Sequence, residues 1–327
     1  MPATALAITR VTAPLSAAFS ISRGSKRHAE TLLATLTRGD AVGRGECVPY
    51  ARYDESVASV TAEIEAIRGE IEAGATRETL QSLLPAGAAR CAVDCAMWDL
   101  EAKLSGQPVW QLAGLPEPKP LETAVTVSLD TPDAMAAAAK AAPGKLLKLK
   151  IGGPEDIERI AAVHGTRPDA RLIVDANEGL DADTFPTLAR EARALGVVLI
   201  EQPFPAGKDG ALVRRASPIS VCADESAHTS TDLDQLARAY DVVNVKLDKT
   251  GGLTEGLNMV RAARQVGLGV MVGCMVAGSI SMAPAVLLGQ LADAVDLDGP
   301  LWLAQDVTHG LQYEAGMVSP PVRELWG

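Results

Sequence analysis

The order of apolar and polar positions divides the chain into two parts that follow different rhythms. In the first, strand-like runs occupy Ala5 to Thr12, Thr31 to Arg38 and Ala41 to Cys47, the last two joined through the hairpin signal Gly39-Asp40. Helical periodicity follows from about Asp54 to Ala73, Thr76 to Leu83 and Ala86 to Leu104, where Gly106 and Pro108 stop it. Strands followed by helices predict an α+β domain over residues 1–118.

From about Leu121 short apolar strands alternate with helical stretches, and their ends recur at a near-constant interval. After a strand at Ala124 to Val127, the ends fall at Lys150, Asp175, Glu201, Asp224, Lys246, Gly273 and Asp296, which are 25, 26, 23, 22, 27 and 23 residues apart. One β/α unit repeated in this way predicts an α/β fold, a modified TIM-type (β/α) barrel over residues 119–300. A doubly wound sheet would bring a glycine-rich phosphate loop after its first strand, and none is there. The segment 301–327 is expected to pack back on the first domain and complete a capping layer.

Composition narrows the partners. Of 327 residues 47% are hydrophobic and 22% charged, and the formal charge of −11 argues against a nucleic-acid face, which needs clustered Lys and Arg. The odd, scattered set Cys47, Cys91, Cys95, Cys222 and Cys274 fits free thiols, with Cys91 and Cys95 read as small buried residues. Arg10 and Pro14 interrupt the apolar start of the chain, which reads as a first strand and not a leader. No apolar run approaches the roughly 18 residues of a membrane span, so a soluble, cytoplasmic protein with no membrane partner is expected. A homo-oligomer is compatible with this composition.

The chemistry concentrates at the strand ends, where a barrel builds its active site. In KLLKLKIGG, residues 145–153, Lys148 and Lys150 share one face while Leu147, Leu149 and Ile151 share the other. Two buried ammonium groups side by side disfavour each other's charge, so one lysine of the pair is expected to have a lowered pKa and to act as a base. Asp175, Glu201 and Asp224 close three consecutive strands, and three carboxylates at close range require a cation between them. Oxygen ligands with no histidine at ligand spacing select a hard divalent ion, Mg²⁺ before others, with Mn²⁺ as a substitute. Lys150 before this trio and Lys246 after it would stand on opposite sides of whatever the metal holds, an arrangement suited to moving a proton α to a carboxylate.

These residues resemble the enolase superfamily and, within it, the muconate-lactonizing subgroup. The resemblance is carried by the K-x-K strand, by the acids in VDAN, IEQP and ADES, by the lysine in VVNVKLDKTGGLTEG, and by their order. A metal with a lysine base is the arrangement known for this superfamily. GECVPYARYDES, LPAGAARCAVDCAMWDL and above all Asp296 and Asp298 in AVDLDGPLWLAQD are similar to the dipeptide epimerases of that subgroup. The resemblance implies Mg²⁺-dependent epimerisation of dipeptides of the L-Ala-D/L-Glu type through an enediolate, with a role in cell-wall peptide turnover. It implies that Lys150 and Lys246 are the two bases, that Lys148 neutralises the substrate carboxylate and depresses the pKa of Lys150, and that Asp296 and Asp298 hold the dipeptide's ammonium group. By the same resemblance Arg23, in the mobile-looking loop SISRGSK, grips an acidic side chain, and Thr126 is a further substrate contact. Asn177 is expected to orient Asp175, and Lys249 to be structural. The alternatives are another reaction of the subgroup, such as cycloisomerisation, o-succinylbenzoate synthesis or N-acylamino acid racemisation, and a dipeptide-binding barrel without turnover.

Overall fold

The computed structural model describes residues 3–153 and 155–327. Strands β1 (Ala5–Ile21), β2 (Gly24–Arg38) and β3 (Ala41–Cys47) form an antiparallel sheet in the order β1-β2-β3. The turn at Gly39-Asp40 falls where predicted, but β1 and β2 run well beyond their predicted apolar stretches. Their register passes from Ala5↔Thr37 to Pro14↔His28, shifts, and resumes at Phe19↔Lys26, Ser20↔Ser25 and Ile21↔Gly24. This outer half is polar on β2 and half-exposed on both strands, so hydrophobic patterning does not reveal the pairing; cross-strand backbone bonds hold it instead. The segment SISRGSK is therefore the tip of a hairpin and not a loop.

The helix predicted from Asp54 divides into Val57–Ala66, entered through a Ser56/Ser59 capping box, and Arg68–Glu72, with Ile67 between them. Thr76 caps Arg77–Leu83. Helix Ala88–Ser105 is almost wholly buried and lies directly on β3. A Cβ on Gly45 would stand 2.1 Å from the Ala92 carbonyl oxygen and 2.6 Å from the Ala96 nitrogen, so the glycines of GRGEC and the alanines of the helix are two halves of one close contact.

After the short strand β4 (Leu121–Glu122) the barrel strands follow: β5 (Val125–Val127), β6 (Leu146–Lys150), β7 (Arg171–Asp175), β8 (Val197–Glu201), β9 (Ser220–Ala223), β10 (Val242–Val245), β11 (Gly269–Gly273) and β12 (Ala294–Asp296). They pair in parallel in unbroken chain order, and the bond from Ala124 N to Val295 O, 2.8 Å, links the first edge to the last. Inward-facing Ala124, Leu146, Ile173, Leu199, Cys222 and Met271 form a dry floor. Two residues further along the same strands every inward position except Gly273 is polar: Thr126, Lys148, Asp175, Glu201, Asp224, Asn244 and Asp296. The pleat therefore sets an apolar plug beneath a polar mouth.

Helix Ala88–Ser105 also joins the two parts. Arg90 Nη2 donates to Thr250 O at 2.7 Å, Thr254 N donates to Asp94 Oδ2 at 3.0 Å, and Trp98 Nε1 to Thr254 Oγ1 at 3.0 Å. Strand β13 (Tyr313–Glu314) pairs with β14 (Met317–Val318) and β14 with β4, and the buried Trp326 donates from Nε1 to Cys95 O at 3.1 Å, which ties the C-terminal tail to the capping helix. All five cysteines are free thiols. Among the described residues no helix is long and apolar enough to cross a membrane.

Candidate active site

The mouth of the barrel is a network of buried ion pairs. Lys148 Nζ lies 2.7 Å from Asp296 Oδ2, 2.7 Å from Glu201 Oε2 and 3.1 Å from Asp175 Oδ2. Lys150 Nζ meets Asp175 Oδ2 at 2.6 Å, and Lys246 Nζ meets Asp224 Oδ2 at 2.6 Å. Every one of these side chains is at most 8% exposed.

The sequence predicts a lowered pKa for one lysine of this pair, with Lys148 acting on Lys150; Lys148 itself is raised. Burial does oppose its charge, but Asp175, Asp296 and Glu201 overcome burial and hold its pKa well above that of an ordinary lysine. Lys246 is raised in the same sense, with burial overcome by Asp224. Adjacency along a strand counts the repulsion and misses the carboxylates that four other strands deliver.

The acids divide accordingly. Burial, then Asp175, pushes Glu201 up to about 7. In Asp175 and Asp224 burial acts in the same direction but is outweighed, by Lys148 and Lys150 in the first and by Lys246 and Lys249 in the second, so both lie below the usual carboxylate range. Among the described residues no three acid, His or Cys side chains stand in a ready metal cage, because ammonium groups lie between the three carboxylates. The donor set itself fits a hard divalent cation: three buried carboxylates on adjacent strands, with Glu201 Oε2 within ion-pair distance of Lys148 yet lacking any hydrogen-bond geometry.

Three supports of this trio were not foreseen. Asn244, inward on β10, donates from Nδ2 to Glu201 Oε1 at 2.8 Å. A side chain at Gly273 on the next strand would place its Cβ 2.7 Å from Asn244 Oδ1, so the glycine is the space the amide occupies. Lys249, expected to be structural, is fully buried on the helical turn Leu247–Thr250 and donates to Asp224 Oδ1 at 2.6 Å and to Asn244 O at 3.1 Å. Gln202 follows Glu201 with a left-handed φ of 34°, and its Oε1 accepts from Asp224 N at 2.8 Å. Strand periodicity carries the signal for Asn244; those for Lys249 and Gln202 arise past the strand ends, where periodicity stops. Asn177 orients Asp175 through its backbone, N to Oδ1 at 2.9 Å, while its side chain turns to Glu225.

A cavity of about 290 Å³ opens above the network. Lys148, Lys150, Lys246, Asp224, Asp296, Asp298 and Thr126 line its floor and walls. Asp298 Oδ2 accepts from Thr126 N at 2.6 Å, and Asp296 Oδ1 has no hydrogen-bond partner among the described residues. The β1–β2 hairpin roofs the cavity with Phe19, Ile21, Arg23 and Lys26, and Trp302 packs edge-on against Phe19 with ring centroids 4.8 Å apart. Arg23 reaches the rim, but its guanidinium is already engaged: Nη1 with Asn177 O at 2.8 Å and Glu178 Oε2 at 3.1 Å, Nη2 with Glu225 Oε1 at 2.8 Å and Tyr50 OH at 3.3 Å.

Comparison with known proteins agrees with this geometry along the whole chain. Residues 132–324 match the family "Enolase C-terminal domain-like", and residues 3–114 match the N-terminal domain of the mandelate racemase / muconate lactonizing enzyme family. The chain belongs to the enolase superfamily, in its mandelate racemase / muconate lactonizing enzyme branch. It is 45% identical over 306 residues to the L-Ala-D/L-Glu epimerase of Escherichia coli K12, covering 93% of this chain and 95% of that one. It is also 45% identical over 299 residues to the N-acetyl-D-glutamate racemase of a Pseudoalteromonas species, covering 90% and 95%. A solved structure of an enolase family member from Agrobacterium tumefaciens, with sodium and L-Ala-L-Glu bound, is 49% identical, covers 99% of this chain and 100% of its own, and superposes with a TM-score of 0.96. A dipeptide epimerase from Cytophaga hutchinsonii complexed with Mg and D-Ala-L-Val is 26% identical over 98% of this chain and 94% of its own, with a TM-score of 0.92. The protein is an enzyme of the isomerase class, like these racemase and epimerase relatives.

Proposed function

We propose that the protein epimerises dipeptides of the L-Ala-D/L-Glu type at the α-carbon of the C-terminal residue, with Lys150 and Lys246 exchanging the proton. The observation that supports this best is their opposition. Lys150 ends β6 and Lys246 follows β10, four strands apart in a ring of eight, and both line the same cavity. Inverting a carbon requires a base on one face and an acid on the other, which is what diametric placement supplies.

Asp175, Glu201 and Asp224 would hold Mg²⁺, with Mn²⁺ as a substitute. When bound, the metal supplies the positive charge that acidifies the hydrogen beside the substrate carboxylate. Lys148 keeps its charge among the acids and adds to the field on that carboxylate. Asp296 and Asp298 receive the dipeptide's ammonium group, and the Thr126 N–H fixes Asp298 for the task. Phe19 in the roof, held from behind by Trp302, excludes water from the reacting carbon. In a cytoplasmic setting the natural substrates would be fragments of cell-wall peptides. The second reading, racemisation of N-acetylglutamate, draws on a relative of equal identity; the carboxylate pair opposes it, because an acetylated nitrogen carries no charge for Asp296 and Asp298 to meet.

The test is proton NMR in D₂O with L-Ala-L-Glu and L-Ala-D-Glu offered separately to Mg²⁺-loaded Lys150→Ala and Lys246→Ala variants. Each variant should lose epimerisation yet exchange the α-hydrogen of one epimer, the two variants choosing opposite epimers. Interconversion near the parent rate in either variant, or exchange of the same epimer by both, would remove the two-lysine assignment.

A further inference from the structure

Two cations of the cavity lining, Arg23 and Lys26, have no part in the proposed chemistry, and Arg23 is already paired with Glu178 and Glu225. Lys26 on β2 is the cross-strand partner of Phe19, so both side chains leave the hairpin on the same face, and both line the cavity. The Lys26 ammonium stands 5.7 Å from the centre of the Phe19 ring, and that of Lys150 stands 5.8 Å from the same centre. Lys148, Lys150, Lys246 and Lys249 each hold a carboxylate. Lys26 makes no ion pair among the described residues, and the other cation that acts on it is Lys150. Burial, opposed by Cys274 and reinforced by Lys150, holds its pKa below that of an ordinary lysine.

A dipeptide ending in an acidic residue carries one ammonium group and two carboxylates. The ammonium group has Asp296 and Asp298, and the α-carboxylate has the metal site and Lys148. The side-chain carboxylate remains, and the cavity offers it an unpaired ammonium on the wall beside the base Lys150. We infer that Lys26 is the specificity-determining residue for an acidic C-terminal side chain, and that Arg23 is a positioning residue that clasps the hairpin tip to the loops after β7 and β9. Arg23 suits that part because its four contacts are to Asn177 and Glu178 after β7, to Glu225 after β9, and to Tyr50 of the capping domain.

This inference rests on the dipeptide reading above. Its test compares L-Ala-L-Glu with the neutral isostere L-Ala-L-Gln in the Mg²⁺-loaded enzyme, by kcat/KM and by titration calorimetry. Lys26→Met should lower the preference for Glu over Gln by about 30-fold or more in both measurements, the scale of losing a buried charged contact. Lys26→Arg should restore most of that preference, which a merely structural lysine would not require. Arg23→Gln should weaken both substrates by the same factor and leave the ratio intact. If Lys26→Met leaves the ratio unchanged, or if Arg23→Gln is the variant that collapses it, the assignment is overturned while dipeptide epimerisation stands. If the parent enzyme neither binds nor converts either dipeptide, the functional reading and this inference fall together.

Discussion

Burial, and then the neighbouring Asp296, push the carboxyl of Asp298 up to about 6, against hydrogen bonds from Thr126. A protonated carboxyl offers nothing to an ammonium group, so the sign of the pH effect follows: above about 6 the site is charged and ready, and below it dipeptide affinity falls. Asp298→Asn should remove that limb of the profile and cost roughly 2 to 5 kcal/mol of binding to L-Ala-L-Glu. An N-acetylated dipeptide should show neither the pH limb nor the loss. Calorimetry from pH 5 to 8 on the parent and variant checks this, and equal losses for free and acetylated substrates would give Asp298 another role. Lys148 makes the complementary point at this scale: the direction of its shift is a sum over acids from four strands, and its own strand partner does not decide it.

Among the elements, the β1–β2 hairpin rests, besides the Arg23 clasp, on a close backbone approach from β6's exit. Gly152, two residues past Lys150, has φ 145°, and a Cβ there would lie 2.5 Å from Ser22 Cβ at the hairpin tip. Gly152→Ala should therefore both strain β6's exit and lift the tip from the mouth. Strain of this kind is roughly 1–3 kcal/mol, and if it falls on substrate closure KM should rise about 5- to 150-fold. Steady-state kinetics with an unchanged circular dichroism spectrum is the expected result, and a KM equal to the parent's would show that the tip does not govern access. The hairpin is also the element least legible in the sequence. Residues 22–28 are polar and the outer half of β1 is only partly buried, so the run reads as loop although its backbone is paired. The barrel strands read as short apolar runs because both of their faces are buried, and their ends fell within a residue of the predicted positions.

In the whole molecule, the tail acts as a clasp between chain ends. Trp326 is 1% exposed against helix Ala88–Ser105, Gly327 N donates to Asp99 Oδ1 at 2.7 Å, and Arg44 on β3 donates to the carbonyls of Glu324 and Leu325. Trp326→Ala should cost about 3–5 kcal/mol of unfolding free energy, the range for deleting a large buried aromatic ring. Urea unfolding should show the midpoint lowered at constant slope. The chemistry at the mouth lies in the barrel, far along the chain from this contact, so kcat at 25 °C should stay close to the parent value in the folded fraction. A loss below about 1 kcal/mol would mean that the tail is an ornament of the capping layer.

The amino-acid sequence by itself determined the repeat, the polar character of the strand ends, and the identity of the acids and lysines brought to one mouth. Those features follow from local rules: period-two alternation and a recurrent unit length place a side chain inward and at a strand's end without knowledge of its neighbours. Only the tertiary structure decided what those side chains meet. Asn244 against Glu201, Lys249 under Asp224, Arg23 spent on Glu178 and Glu225, and Lys26 left unpaired above Lys150 all join residues from separate strands and loops. Electrostatic energies sum over distance in three dimensions, and a cavity is bounded by whatever elements close around it. No spacing along one chain contains either quantity.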